Sequence, residues 1–105
     1  MSGISTHILD TTSGRPAAGV TVHLFNADQM IATAVTNGDG RVPSLLPRDH
    51  SLAAGTYRIV FAVGARWPEG FYPEVSVSFA VRDISSHYHL PLLISPFGFT
   101  TYRGS

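Results

Sequence analysis

The sequence predicts an all-β protein: a two-sheet antiparallel sandwich of seven or eight short strands with at most one short helix. Three observations carry that expectation. Apolar residues recur at every second position in several separate runs, the period of a strand with one buried face. Ten glycines and seven prolines punctuate a chain of 105 residues at short intervals. No segment carries a helical apolar stripe longer than two turns.

In chain order, Ile4 and Ile8 mark a first strand, which Thr12-Ser13-Gly14-Arg15-Pro16 ends with strong turn chemistry. Val20, Val22 and Leu24 give a second stripe, and Ile31 to Val35 a further strand. Asn37-Gly38-Asp39-Gly40 is the next turn. Arg48 to Ala54 and Gly64 to Gly70 are the two places where a short helix would fit. Between them Tyr57, Ile59, Phe61 and Val63 alternate with Arg58, Val60 and Ala62, and later Val75, Val77, Phe79 and Val81 alternate with small residues. From His87 to Ser95 the even positions are Tyr88, Leu90, Leu92 and Ile94, whereas His87, His89, Pro91, Leu93 and Ser95 occupy the other face. Phe99 to Arg103 forms a terminal strand. Pro91 cannot donate to a ladder, so it belongs at an edge, a bulge or an outward-facing position.

Composition narrows the function. The length suits one domain, residues 1–105, and 44% hydrophobic against 13% charged residues supports a packed core rather than disorder. Seven acidic residues balance seven basic ones, so no net field draws nucleic acid or a membrane surface. Every basic residue is arginine, which removes lysine Schiff-base and lysine general-base chemistry. Cysteine is absent, so neither a disulfide nor a thiolate nucleophile enters the account. No signal peptide, membrane-spanning run or terminal address is evident, and a cytoplasmic protein is expected.

Polarity on strand faces offers the candidates for chemistry. His7 lies opposite Ile4 and Ile8, His89 lies opposite the apolar side of its strand, and Thr100 and Tyr102 share a face of the last one. A face of His, Pro, Leu, Thr and Tyr suits a binding surface or subunit interface. Each residue also has a plainer reading, since most histidines are structural or exposed. His87 and His89 point the same way and could begin a zinc site, but no third ligand stands at a convincing spacing, and no metal is expected. Arg41 would ordinarily be a turn-exit arginine, and nothing marks His23 or His50. No nucleophile elbow, phosphate loop or dinucleotide fingerprint is present. The residues alone reach a sandwich with a semi-polar, histidine-bearing face and name no substrate.

Four motifs resemble the transthyretin-like hydroxyisourate hydrolases over nearly the whole chain. Ser5-Thr6-His7-Ile8-Leu9-Asp10-Thr11-Thr12-Ser13-Gly14-Arg15-Pro16-Ala17 looks like that family's opening signature. Thr36-Asn37-Gly38-Asp39-Gly40-Arg41 resembles its central turn, and Phe71-Tyr72-Pro73-Glu74-Val75 its mid-chain marker. Most specific is the end, His87-Tyr88-His89-Leu90-Pro91-Leu92-Leu93-Ile94-Ser95-Pro96 followed by Tyr102-Arg103-Gly104-Ser105, a tetrapeptide that separates the hydrolases from the hormone-carrying transthyretins.

The resemblance implies hydrolysis of 5-hydroxyisourate, an oxidised purine, to 2-oxo-4-hydroxy-4-carboxy-5-ureidoimidazoline, without a cofactor. It also implies His7, Arg41, His89 and Ser105 as catalytic residues, and His7, Arg41 and Tyr102 as substrate contacts. One of His7 and His89 would be the general base and the other its partner. A homotetramer, a dimer of dimers with sites where the dimers meet, is further implied. The chain departs from the family pattern at Gly64 to Gly70, which is abbreviated and contains Pro68, and at Leu24-Phe25-Asn26, where the family is more charged. Two other functions fit such a sandwich: a transthyretin-type carrier of small aromatic ligands, and a carbohydrate-binding or adhesion module.

Overall fold

A computed structural model describes residues 3–105. Nine strands run along the described residues: β1 (Gly3–Asp10), β2 (Arg15–Pro16), β3 (Thr21–Asn26), β4 (Gln29–Val35), β5 (Arg41–Val42), β6 (Gly55–Phe61), β7 (Val75–Val81), β8 (His87–Ser95) and β9 (Gly98–Thr101). Seven of them are longer than two residues, and each of those seven falls on a run that the alternation predicts. The two short ones, β2 and β5, are turn exits that briefly pair with β1.

The strands form two sheets, β4-β3-β6-β7 and β2-β1-β8-β9, with β5 pairing β1 in the latter. Their inner faces enclose the core. Ile4 and Ile8 from β1, Val22 and Leu24 from β3, Ile59 and Phe61 from β6, and Leu92 and Ile94 from β8 are all buried in it. These are the residues of the predicted stripes, because a period of two sends one set inward and the other outward. Tyr57 is also buried, and its hydroxyl accepts a hydrogen bond from the Ala53 N–H at 3.1 Å, so the polar end of the ring is satisfied.

Alternation carries no information about strand direction, and one pair departs from the antiparallel expectation. β1 and β8 run parallel, in register from Gly3 opposite His87 to Asp10 opposite Ile94. The chain between them crosses through the other sheet, so no tight hairpin constrains their direction. Pro91 sits within β8, on its outward face. Its ring nitrogen points away from β1, past the end of the β9 ladder, whose last pair is Leu92 with Thr101. The missing N–H therefore costs no ladder bond, and the Pro91 carbonyl accepts from the Thr101 hydroxyl at 2.7 Å.

Of the two places for a helix, Arg48 to Ala54 forms none, and the other holds only the 3-10 turn Val63–Ala65. Pro68 lacks an N–H and biases Trp67 toward extended backbone, which stops the turn from growing. The terminal strand is shorter than expected: it ends at Thr101, and the chain then rejoins the sheet through a single bridge between Gly104 and His89. Among the described residues no helix is long and apolar enough to cross a membrane.

Removing apolar volume between the sheets should cost more than removing it outside. Leu92→Ala should lower unfolding free energy by about 2–5 kcal/mol in urea melts. Ile84→Ala, at a residue 55% exposed, should stay within about 0.5 kcal/mol of the parent.

Candidate functional site

The outward face of the β1–β8 pair gathers the polar residues that the core excludes. Because Ile4, Thr6 and Ile8 point inward along β1, Ser5 and His7 point outward. The same parity in β8 turns His87 and His89 outward opposite Tyr88 and Leu90. The parallel register then sets Ser5 beside His89 and His7 beside Pro91. Thr6 anchors this register from within, its buried hydroxyl donating to the Leu90 carbonyl at 2.6 Å.

Arg41 arrives from the other side of β1, where β5 pairs it with His7. The turn before it is held by the Asn37 side chain, whose Oδ1 accepts from the N–H groups of Asp39 at 2.9 Å and Arg41 at 3.0 Å. Gly40 makes the approach feasible. Its φ is +72°, and a Cβ there would stand 2.6 Å from the Ile8 carbonyl oxygen. Its own carbonyl accepts from the Ile8 N–H at 2.8 Å, which ties the turn to β1.

The chain terminus closes the site. The Gly104 N–H donates to the His89 carbonyl at 2.8 Å. The backbone lies so flat on the strand that a Cβ at Gly104 would meet the His89 ring at 2.5 Å and Pro91 at 3.0 Å. Arg103 places its guanidinium 4.5 Å from the centre of the Tyr88 ring, a cation–π contact that pins the tail on its other side. A cavity of about 250 Å³ results, lined by Ser5, Arg41, Pro43, His87, His89 and Ser105 among others.

Of the residues expected from sequence, Arg41, His89 and Ser105 therefore line one cavity. His7 flanks it, paired with Arg41 and close enough to lower the pKa of His89. Tyr102 does not line the cavity of the single chain and is 56% exposed. Ser5, which the sequence reading passed over, joins the two histidines of β8: its Oγ is 2.7 Å from His87 Nε2 and 2.8 Å from His89 Nδ1. The signal was available, since Ser5 shares the outward parity of His7. Among the described residues no group of three or more His, Cys, Asp or Glu is arranged to hold a metal.

The pKa values of His7 and His89 are both shifted in the direction that favours the neutral imidazole. His7 lies below its ordinary pKa of 6.5, first through partial burial and then through the Arg41 charge, with Asp39 pulling weakly the other way. His89 is lowered by burial, then by Arg41, His7 and His87, against a backbone hydrogen bond to Ser5. The arrangement provides two neutral bases beside one permanent cation, which is suited to moving protons near a developing negative charge.

Comparison with known proteins gives a consistent answer. Residues 4–104 match the family described as HIUase/Transthyretin family. The chain is 43% identical to the 5-hydroxyisourate hydrolase of Caulobacter vibrioides, covering 100% of both sequences. Among solved structures, the Klebsiella pneumoniae 5-hydroxyisourate hydrolase superimposes with a TM-score of 0.89 at 39% identity, covering 99% of this chain and 100% of that one. Sea bream transthyretin in complex with thyroxine superimposes with a TM-score of 0.86 at 32% identity, covering 96% of this chain and 93% of that one.

The electrostatics fix a pH dependence. With folded pKa values below 6.5, His7 and His89 bind fewer protons than in the unfolded chain as the pH falls through that value. Their contribution to stability is therefore present above pH 6.5 and declines below it. Nuclear magnetic resonance titration should place both midpoints under 6.5, and Arg41→Gln should move both upward.

Proposed function

The chain belongs to the HIUase/Transthyretin family, and from that membership we propose that it hydrolyses 5-hydroxyisourate to 2-oxo-4-hydroxy-4-carboxy-5-ureidoimidazoline in urate degradation. The observation that carries this reading is the convergence of Arg41, His89 and Ser105 on one cavity with His7 at its rim. A carrier needs no pair of neutral imidazoles held against a guanidinium. A hydrolase acting on a cyclic amide can use them to activate water beside an oxyanion-stabilising charge.

Chemistry at this site begins with water. One imidazole of the His7–His89 pair takes a proton from it as it attacks the ring carbonyl, and the other positions or relays. Arg41 stays charged throughout, so it cannot be the base. It pairs with the carbonyl-rich purine and stabilises the oxyanion that forms, a contribution of about 2.7–4 kcal/mol for a well-placed donor in other enzymes. Ser105, held in place by the Gly104–His89 bond, offers a hydroxyl to substrate or water. Hydrolysis involves no net oxidation or reduction, and the mechanism calls for no redox cofactor.

Assembly is part of the same proposal. The face that carries the site also carries Leu9, Leu93 and Thr100, and Tyr102 stands beside it largely uncovered. In a dimer of dimers meeting on this face, Tyr102 would wall the site from across the interface and position the ring. A cytoplasmic setting, where urate oxidation would supply this unstable substrate, agrees with a chain that lacks cysteine.

The second reading, a non-catalytic carrier, draws on the likeness to the thyroxine complex of sea bream transthyretin. One assay separates the two. With 5-hydroxyisourate generated from urate by urate oxidase, the protein should accelerate its ultraviolet decay, whereas unaltered decay with folded protein rejects the hydrolase. His89→Ala and Arg41→Ala should each lower kcat/KM by about 100-fold or more. Gly104→Ala should lower it by lifting the tail from His89 while leaving the melting temperature nearly unchanged. The acid limb of the wild-type kcat/KM profile should have its midpoint below pH 6.5, since each base remains neutral until its lowered pKa is reached.

A further inference from the structure

Ser5 is the one hydroxyl in the site held by two ring nitrogens at once, at 2.7 Å from His87 Nε2 and 2.8 Å from His89 Nδ1. A hydroxyl has one proton to give, and a neutral imidazole has one nitrogen that donates and one that accepts. Ser5 Oγ makes no other hydrogen bond within the chain among the described residues. When its proton goes to one of the two histidines, the other histidine donates to its oxygen. The tautomers of His87 and His89 are thus linked: fixing one fixes the other. Ser5 itself is buried, at 7% exposure, whereas His87 at the far end of this chain of bonds is exposed. The three groups connect the part-buried His89 to the exposed His87, both of which line the cavity.

We propose that Ser5 is a positioning and proton-relay residue that links His89 to His87, so that His87 serves as the solvent terminal of the active-site base. This rests on the hydrolase reading and deepens it. In the first stroke His89 Nδ1–H donates to Ser5 and Ser5 O–H donates to His87 Nε2, which leaves His89 Nε2 with a lone pair for the cavity. His89 Nε2 takes a proton from the attacking water as the new C–O bond forms. Its Nδ1 proton passes to Ser5, the Ser5 proton passes to His87 Nε2, and His87 releases its Nδ1 proton to solvent.

Every bond in the chain has now reversed its direction, and His89 carries its proton on Nε2. It is thereby converted from base to acid. In the second stroke the C–N bond breaks and His89 Nε2–H protonates the leaving ring nitrogen, while His87 recovers a proton from solvent and the chain returns to its starting sense. Water has added as hydroxyl to carbon and hydrogen to nitrogen. The product carboxylic acid, with an ordinary pKa of about 3–4, then ionises and gives up one net proton per turnover. No oxidant, reductant or metal is required.

Two variants test this in the 5-hydroxyisourate assay, read as kcat, KM and the response to added imidazole buffer. Ser5→Ala breaks the chain in its interior, and His87→Gln, at an exposed position, breaks it at the solvent end. In dilute buffer each should lower kcat by about 10- to 100-fold, at or below the lower end of the roughly 100- to 10,000-fold that positioned proton transfer contributes to catalysis, with KM changed by less than about twofold. Imidazole should restore His87→Gln in a saturable manner, since a buffer molecule can stand where His87 stood, a recovery that a merely structural role would not produce. Wild-type kcat in a folded His87→Gln protein, or a loss that imidazole leaves unchanged, overturns the relay; His87→Gln decides the matter alone if Ser5→Ala does not fold. Normal wild-type turnover with unaffected variants rejects the relay only, whereas no turnover by the wild-type protein rejects the hydrolase and the relay together.

Discussion

The parallel register between β1 and β8 is the constraint on which the site depends. It places Ser5 beside His89 and His7 beside Pro91, and all four face away from the core because their strand neighbours face into it. A slip of one residue would turn His7 and Ser5 inward and drive Ile4 and Ile8 out, exchanging every inward and outward residue of the strand. The apolar stripe of β1 therefore does two things at once. Burying Ile4 and Ile8 holds the sheets together, and the same burial fixes the direction of the imidazoles. The Thr6 hydroxyl, bonded to the Leu90 carbonyl inside the sandwich, adds a polar check on that register.

Two glycines extend the same logic to groups that β1 and β8 do not carry. Arg41 and Ser105 reach the cavity only because Gly40 and Gly104 let backbone lie against the sheet at distances that no side chain would permit. One glycine brings in the fixed positive charge and the other brings in the terminal hydroxyl. The charge matters because, after burial, it is the next cause that lowers the pKa of both histidines. Packing, backbone geometry and electrostatics thus converge on a single outward patch.

Much of the fold was legible in the sequence, since period-two alternation and turn chemistry are local properties. The stripes of β3, β6, β7 and β8 could be read residue by residue, and so could the turn before Arg41. Strand direction could not, because a stripe is identical read either way. The end of β9 was also misjudged: Phe99 to Arg103 reads as one strand, but the chain leaves the ladder after Thr101 so that Gly104 can reach His89. In the candidate site, His7 and His89 stood out as polar residues on strand faces, whereas their proposed roles, and Arg41 and Ser105 altogether, came only through resemblance to a family. Ser5 shares the outward parity of His7, but parity alone does not set a serine apart until its partners on the neighbouring strand are known. His87 was seen only as half of a metal pair, and its bond to Ser5 depends on a register that no local pattern encodes.

The central claim is spatial: groups from β1, β5, β8 and the chain terminus recognise one purine together. Its most direct test is a structure determined with a non-hydrolysable oxidised-purine analogue. The ligand should lie on the outward face of the β1–β8 pair, with a ring carbonyl on the Arg41 guanidinium and His89 within hydrogen-bond reach. An analogue seated elsewhere, for instance in the groove between Trp67 and Phe97, with the Arg41–His89 cavity left to solvent, would contradict the account.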